Sequence, residues 1–89
     1  MNAQPDIDLS RDWPAVYRIR VRGRLASRWH DRFEGMTISS TAPGKTPVMT
    51  TLRGALPDQA ALMGVLAGLY QLRLHLESVE CLGSPKADT

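Results

Sequence analysis

The chain has 89 residues, 43% of them hydrophobic and 22% charged, with a formal net charge of +2. That length makes one domain with a thin core, and the composition excludes collagen-like and wholly disordered classes. The charge is too mild to argue for nucleic-acid binding, and a single cysteine, Cys81, leaves no intrachain disulfide to stabilise the fold.

Residues 1–14 mix polar residues with isolated Ile7, Leu9 and Trp13 and show no period, so a flexible N-terminal arm is expected there. Trp13 is expected to dock on the domain or a neighbour, because a free tryptophan wastes its contact area. The stretch MNAQPDIDLSRDW has neither the basic start nor the apolar run of a secretion signal, and no segment approaches the roughly 18 to 20 apolar residues of a membrane span. A cytoplasmic protein without membrane contact is expected.

A single α+β domain is expected over 15–82. From Tyr17 to Leu25, YRIRVRGRL alternates strictly, which predicts a strand with one dry and one positive face. Tyr17, Ile19, Val21 and Leu25 take the dry side, with Gly23 in register for a bulge or a close approach. Arg18, Arg20, Arg22 and Arg24 take the wet side and form a candidate surface for a polar partner. Guanidinium forks suit an acidic protein or a phosphate backbone. Cross-strand pairing with Glu77 or Glu80 on a neighbouring fourth strand accounts for the same arginines without any partner.

Further along, SRWHDRFE from Ser27 predicts a helix of about two turns, capped by Ser27, burying Trp29 and Phe33 and ended by Gly35. Met36 to Thr41 reads as a second strand with Met36 and Ile38 inward. The Pro-Gly chemistry of Ala42 to Pro47 makes a hairpin loop, and Val48 to Leu52 a third strand. Arg53 to Pro57 then carries the chain to Asp58, a good N-cap.

From Asp58 to Leu72 the helix DQAALMGVLAGLYQL carries no charge until Arg73. Leu62, Val65, Leu66, Leu69 and Leu72 form its core face. Ala60, Met63, Gly64, Ala67, Gly68, Tyr70 and Gln71 lie where a solvated helix would carry ions. Two interior glycines cost roughly 1 kcal/mol each against alanine, so this face is expected to be a contact between subunits, a dimer in the first instance; an uncharged helix packed against its own chain's tail accounts for the same face. Leu74 to Leu82 supplies a fourth strand whose alternation slips near Ser78, with Leu74 and Leu76 inward and then Val79 and Cys81, the cysteine as a small buried hydrophobe, and 83–89 reads as a disordered tail. The order strand, short helix, strand, strand, long helix, strand predicts a ferredoxin-like sandwich, a four-stranded antiparallel sheet with both helices on one face. The other face would carry Arg18, Arg20 and Arg22 beside Thr37, Ser39, Thr51 and Arg53.

The segments YRIRVRGRL, RWHDRFEGMTIS and DQAALMGVLAGLYQLRLHLESVECL together resemble small uncharacterised bacterial proteins of ferredoxin-like α/β type. Those proteins share a DQAxLxGxL helix and a terminal LxSVxxL strand, and the resemblance covers Tyr17 to Leu82. It implies no activity. Arg73 and His75 stand where such proteins are expected to carry Gly and Pro.

Chemistry is thinly signalled. His30, His75 and Cys81 lack metal-ligand spacing, so no metal or other cofactor is expected. Gly44 to Thr46 matches a phosphate loop only by its Gly-Lys-Thr, without the upstream glycine or following helix. His30, Asp31 and Glu34 point in different directions on a short helix and make no acid-base pair. The expectation is a non-catalytic interaction or regulatory module that self-associates and binds a protein partner. The alternatives are a nucleic-acid-binding domain using the arginine strand, and a ligand-binding or catalytic domain with its pocket at a subunit interface.

Overall fold

The computed structural model describes residues 13–85. The arm expected over 1–14 and the tail expected over 83–89 therefore lie outside the described residues, except at 13, 14 and 83–85. The protein is α+β: strands β1 (Ala15–Arg22), β2 (Thr37–Ser40), β3 (Met49–Leu56) and β4 (His75–Gly83), a 3-10 helix at Ser27–Phe33, and helix α1 at Gln59–Gln71. The strands form one sheet in the order β2-β3-β1-β4, every neighbouring pair antiparallel. The short helix expected from Ser27 is a seven-residue 3-10 segment, so α1 is the one α-helix among the described residues.

Alternation along β1 works as its sequence predicts. Tyr17, Ile19 and Val21 are buried on the side that meets the helices, while Arg18, Arg20 and Arg22 project from the other. Leu52 and Leu56 of β3, Ile38 of β2, Phe33 of the 3-10 helix, and Leu62, Val65 and Leu69 of α1 complete one core between sheet and helices. Burial of each such side chain is worth roughly 1.5 to 3 kcal/mol. Trp13 docks on this core, its ring stacked on Tyr17 at a centroid distance of 5.6 Å.

Several local expectations are corrected. Strand β3 runs on through Leu56, because Arg53 to Leu56 keeps pairing with β1 from Arg18 back to Ala15. Its inward positions include Thr50 and Gly54, which hide the alternation. Thr50 is fully buried and satisfied: its hydroxyl donates to the Gly23 carbonyl at 2.6 Å, accepts from the Leu25 amide at 3.2 Å and bonds the Ser40 hydroxyl at 2.8 Å. Gly54 leaves room for Met36, whose Cα lies 3.1 Å from where a Cβ would stand. Ser27 begins the 3-10 helix without capping it; Ala26 holds the cap position and makes no side-chain bond. In the hairpin, Pro43 and Gly44 form a turn closed by the Lys45 amide donating to Ala42 O, with Gly44 at φ 86°, the positive value a type II turn needs at its third position.

Asp58 caps α1 as expected, its Oδ1 accepting from the Ala61 amide at 2.8 Å. The far end closes with the Arg73 amide donating to Tyr70 O and the Leu74 amide to Leu69 O, the paired bonds of a Schellman motif. Arg73 takes the left-handed position at φ 63°, a conformation usually given to glycine. Leu72, expected in the core face, sits at this cap and is 39% exposed.

Candidate functional site

Two surfaces stand out, one on each side of the sheet. On the face without helices, register places Arg18 across from Glu80 and Arg53, and Arg20 across from Ser78 and Thr51. The Arg18 Nε donates to Glu80 Oε1 at 2.8 Å, and Arg22 Nη2 lies 3.0 Å from Glu77 Oε2. The hydrogen bond from Arg18 holds the Glu80 carboxyl below its ordinary range, and the same bond raises the Arg18 guanidinium. Half of the expected arginine surface is thus neutralised by the chain's own β4.

Arg24 lies beyond the end of β1, exposed, in the segment that leads to the 3-10 helix. Arg20 and Arg53 make no ion pair among the described residues, and Arg53 lines a shallow depression with Thr37, Ser39 and Thr51. Among the described residues, the strand registers place no aromatic ring on this face, where a stacked base would need one.

The helix side of the sheet is unevenly covered. Helix α1 buries Leu62, Val65 and Leu69, but β4 is an edge strand that its cover reaches only in part. Val79 pairs with Ile19 and Leu76 with Val21, so both share the core face, yet they remain 38% and 48% exposed. A groove between α1 and β4 is lined by Leu66, Leu69, Tyr70, Leu74 and Leu76, together with Arg73 and His75. Tyr70 is 81% exposed and Met63 54%. Cys81, on the same strand, is a free and exposed thiol where a buried one was expected.

The small-residue face foreseen on α1 divides in two. Gly68 turns inward: a Cβ there would meet Phe33 Cε1 at 2.9 Å, so this glycine is required by packing inside the chain. Ala60, Met63, Gly64, Ala67, Tyr70 and Gln71 are exposed, and a Cβ on Gly64 would meet nothing within 4 Å. Sequence reasoning turned Leu76 and Val79 inward but missed that both stay exposed at the edge of the sheet. The slip in alternation near Ser78 is a step in register. Arg20 pairs with Ser78 but Val21 with Leu76, so Glu77 is a bulge that turns the following residues over.

Catalytic and ligating residues stay apart. His30 lies in the 3-10 helix and contacts Asp31 at 3.3 Å, while His75 opens β4 and reaches Glu77 at 3.7 Å. Among the described residues, no three of His, Cys, Asp and Glu come together as a metal site. Nor is any described helix long and apolar enough to cross a membrane.

A family profile described as a domain of unknown function, DUF8691, matches residues 16–80. The chain belongs to the DUF8691 family. Among curated proteins and solved structures nothing matches it. The DUF8691 region contains both Arg-Glu pairs, all of α1, and Leu76 and Val79; Trp13 and Cys81 fall just outside it.

Proposed function

We propose that the protein is a small non-catalytic interaction module that self-associates and through that assembly serves a protein partner. The observation that carries this reading is the apolar surface left open between α1 and β4. Tyr70 and Leu76 line the groove between α1 and β4, and Met63 and Val79 are further large apolar side chains exposed on the same two elements. Exposed apolar side chains of this kind, with a tyrosine and a methionine among them, are characteristic of contact surfaces. Sedimentation velocity from about 5 to 200 μM tests it: a concentration-dependent dimer is expected, and a strict monomer at the upper end removes the reading.

The ferredoxin-like arrangement belongs to the same proposal, with its first helix reduced to the 3-10 segment. It is supported by two crossovers, β1 to β2 and β3 to β4, each passing over one intervening antiparallel strand. A bacterial, cytoplasmic setting is also proposed; the resemblance to small bacterial proteins and the free Cys81 support it. Nucleic-acid binding is the weaker reading, since Arg18 and Arg22 are engaged by Glu80 and Glu77 and Arg24 lies off the strand.

A further inference from the structure

We propose that the joint of this assembly is β4 itself: a second copy of the chain pairs with it edge to edge, antiparallel, about a two-fold axis at Val79. The inference rests on the self-association proposed for the protein and names its geometry. The sheet has two edges, and they differ. Strand β2 is a four-residue edge, whereas β4 runs for nine residues, HLESVECLG, without a proline or lysine to guard it. Long edges of that kind are templates for another strand unless something blunts them.

Bulges at Glu77 and at Leu82 interrupt the pairing of β4 with β1 and leave Ser78 to Cys81 regular between them. Within this stretch Val79 and Cys81 share the helix side, while Ser78 and Glu80 share the open side. Antiparallel partners that stand opposite must point to the same side, so an isologous pairing centres on an atom of like-facing residues. Centred on Glu80, it would set two carboxylates against each other. Centred on Val79, it sets valine against valine and Ser78 against Glu80 of the second copy. Ser78 Oγ is buried with no hydrogen-bond partner among the described residues, and this register brings an acceptor to the neighbouring position.

Charge selects a second copy over a basic partner strand. Glu77 and Glu80 are already held by Arg22 and Arg18, so a basic segment would find its counter-ions engaged, while two copies meet without net acidic repulsion. Pairing also covers what the single chain leaves open, since Leu76, Val79 and Tyr70 of each copy come to the same side of a continuous sheet, beside α1 of the other.

The test uses the full chain. In a Cys81→Ser background, Val79→Cys places two thiols across the axis with Cα atoms about 4.5 to 5.5 Å apart, within disulfide reach. Mild oxidation at about 100 μM is expected to give a covalent dimer at least fivefold faster than the wild type, whose Cys81 thiols would lie roughly 13 Å apart along the strand. Val79→Lys is expected to weaken association at least tenfold with an unchanged circular dichroism spectrum. Should that variant fold poorly, hydrogen exchange on the wild type decides, with protection of the Ser78 to Cys81 amides rising with protein concentration. A dimer with no trapping at position 79 and no concentration-dependent protection overturns the β4 joint and leaves self-association standing. A wild-type monomer overturns both, and protection of β4 only on adding a different polypeptide overturns the second copy as occupant.

Discussion

Two glycines four residues apart on α1 should respond in opposite directions to the same change. At Gly64 an added Cβ meets nothing within 4 Å, so Gly64→Ala removes the entropic cost of an interior helix glycine and adds no strain. The gain is about 0.5 to 1 kcal/mol, which for a domain of this size raises the melting temperature by roughly 2 to 8 °C. At Gly68 the same gain is opposed. The new Cβ would stand 2.9 Å from Phe33 Cε1, where ordinary carbon contacts are about 3.5 to 4.0 Å. Phe33 is itself buried among Leu62, Val65 and Leu69, so its ring must move within a packed core. Overpacking of this kind costs roughly 1 to 3 kcal/mol, which offsets or exceeds the propensity gain and leaves Gly68→Ala destabilised by about 0 to 2.5 kcal/mol. Urea denaturation of each variant at about 5 μM, low enough to suppress association, measures both. The double variant Gly68→Ala/Phe33→Leu should recover stability relative to the sum of the two single changes, since the clash has one source. Equal stabilisation by the two alanines would refute the assignment of Gly68 to the inner face.

Arg73 holds φ 63° at the end of α1, so Arg73→Gly should stabilise the fold by about 1 kcal/mol in the same urea assay, and no change would mean the position carries no strain. Thr50→Val keeps the shape but strips the hydroxyl from the Leu25 amide and the Ser40 hydroxyl, and a loss of about 1 to 3 kcal/mol is expected. The Arg18–Glu80 pair predicts a pH signature. Because the folded pKa of Glu80 is lowered, its contribution is fully present above the ordinary carboxyl value of about 4.3 and is lost as pH falls through the folded value. The stability gap between wild type and Glu80→Gln should therefore be widest near neutrality and close in acid; a gap of constant size across that range would show that the ion pair does not contribute.

Where one residue type repeats at one period, the fold is legible in the chain. Four apolar positions and four arginines alternate along YRIRVRGRL, and only a half-buried strand accounts for both at once. Ion pairing with Glu77 and Glu80 was legible too, because an antiparallel fourth strand beside β1 has few other partners to offer. What the sequence hid lies where an inward position is not apolar. Thr50 and Gly54 break the pattern of β3, one serving as a hydrogen-bond hub and the other as a space for Met36, and neither role has a local signature. The 3-10 geometry of Ser27–Phe33 is hidden for a related reason: the i, i+4 spacing of Trp29 and Phe33 reads as α-helix, whereas three residues per turn sets them about 120° apart, and of the two only Phe33 is fully buried.

The uncharged surface of α1 shows why a helix can announce a contact without locating it. A helical wheel reports only that ionic groups are missing, and it treats Gly64 and Gly68 alike. Tertiary context separates them: Phe33 fills the space over Gly68, and nothing lies over Gly64. On the other flank, Leu66 and Tyr70 look onto β4, whose Leu76 and Val79 turn to the core side on either flank of the bulge at Glu77, as the slipped alternation implied, yet stay exposed. An edge strand has a neighbour on one side only, so α1 can cover the centre of the sheet and still leave that edge bare. The unsolvated character of the helix and the bare edge are thus one feature, and a partner that covers β4 answers both, whereas one seated over Gly64 would leave Leu76 and Val79 in water.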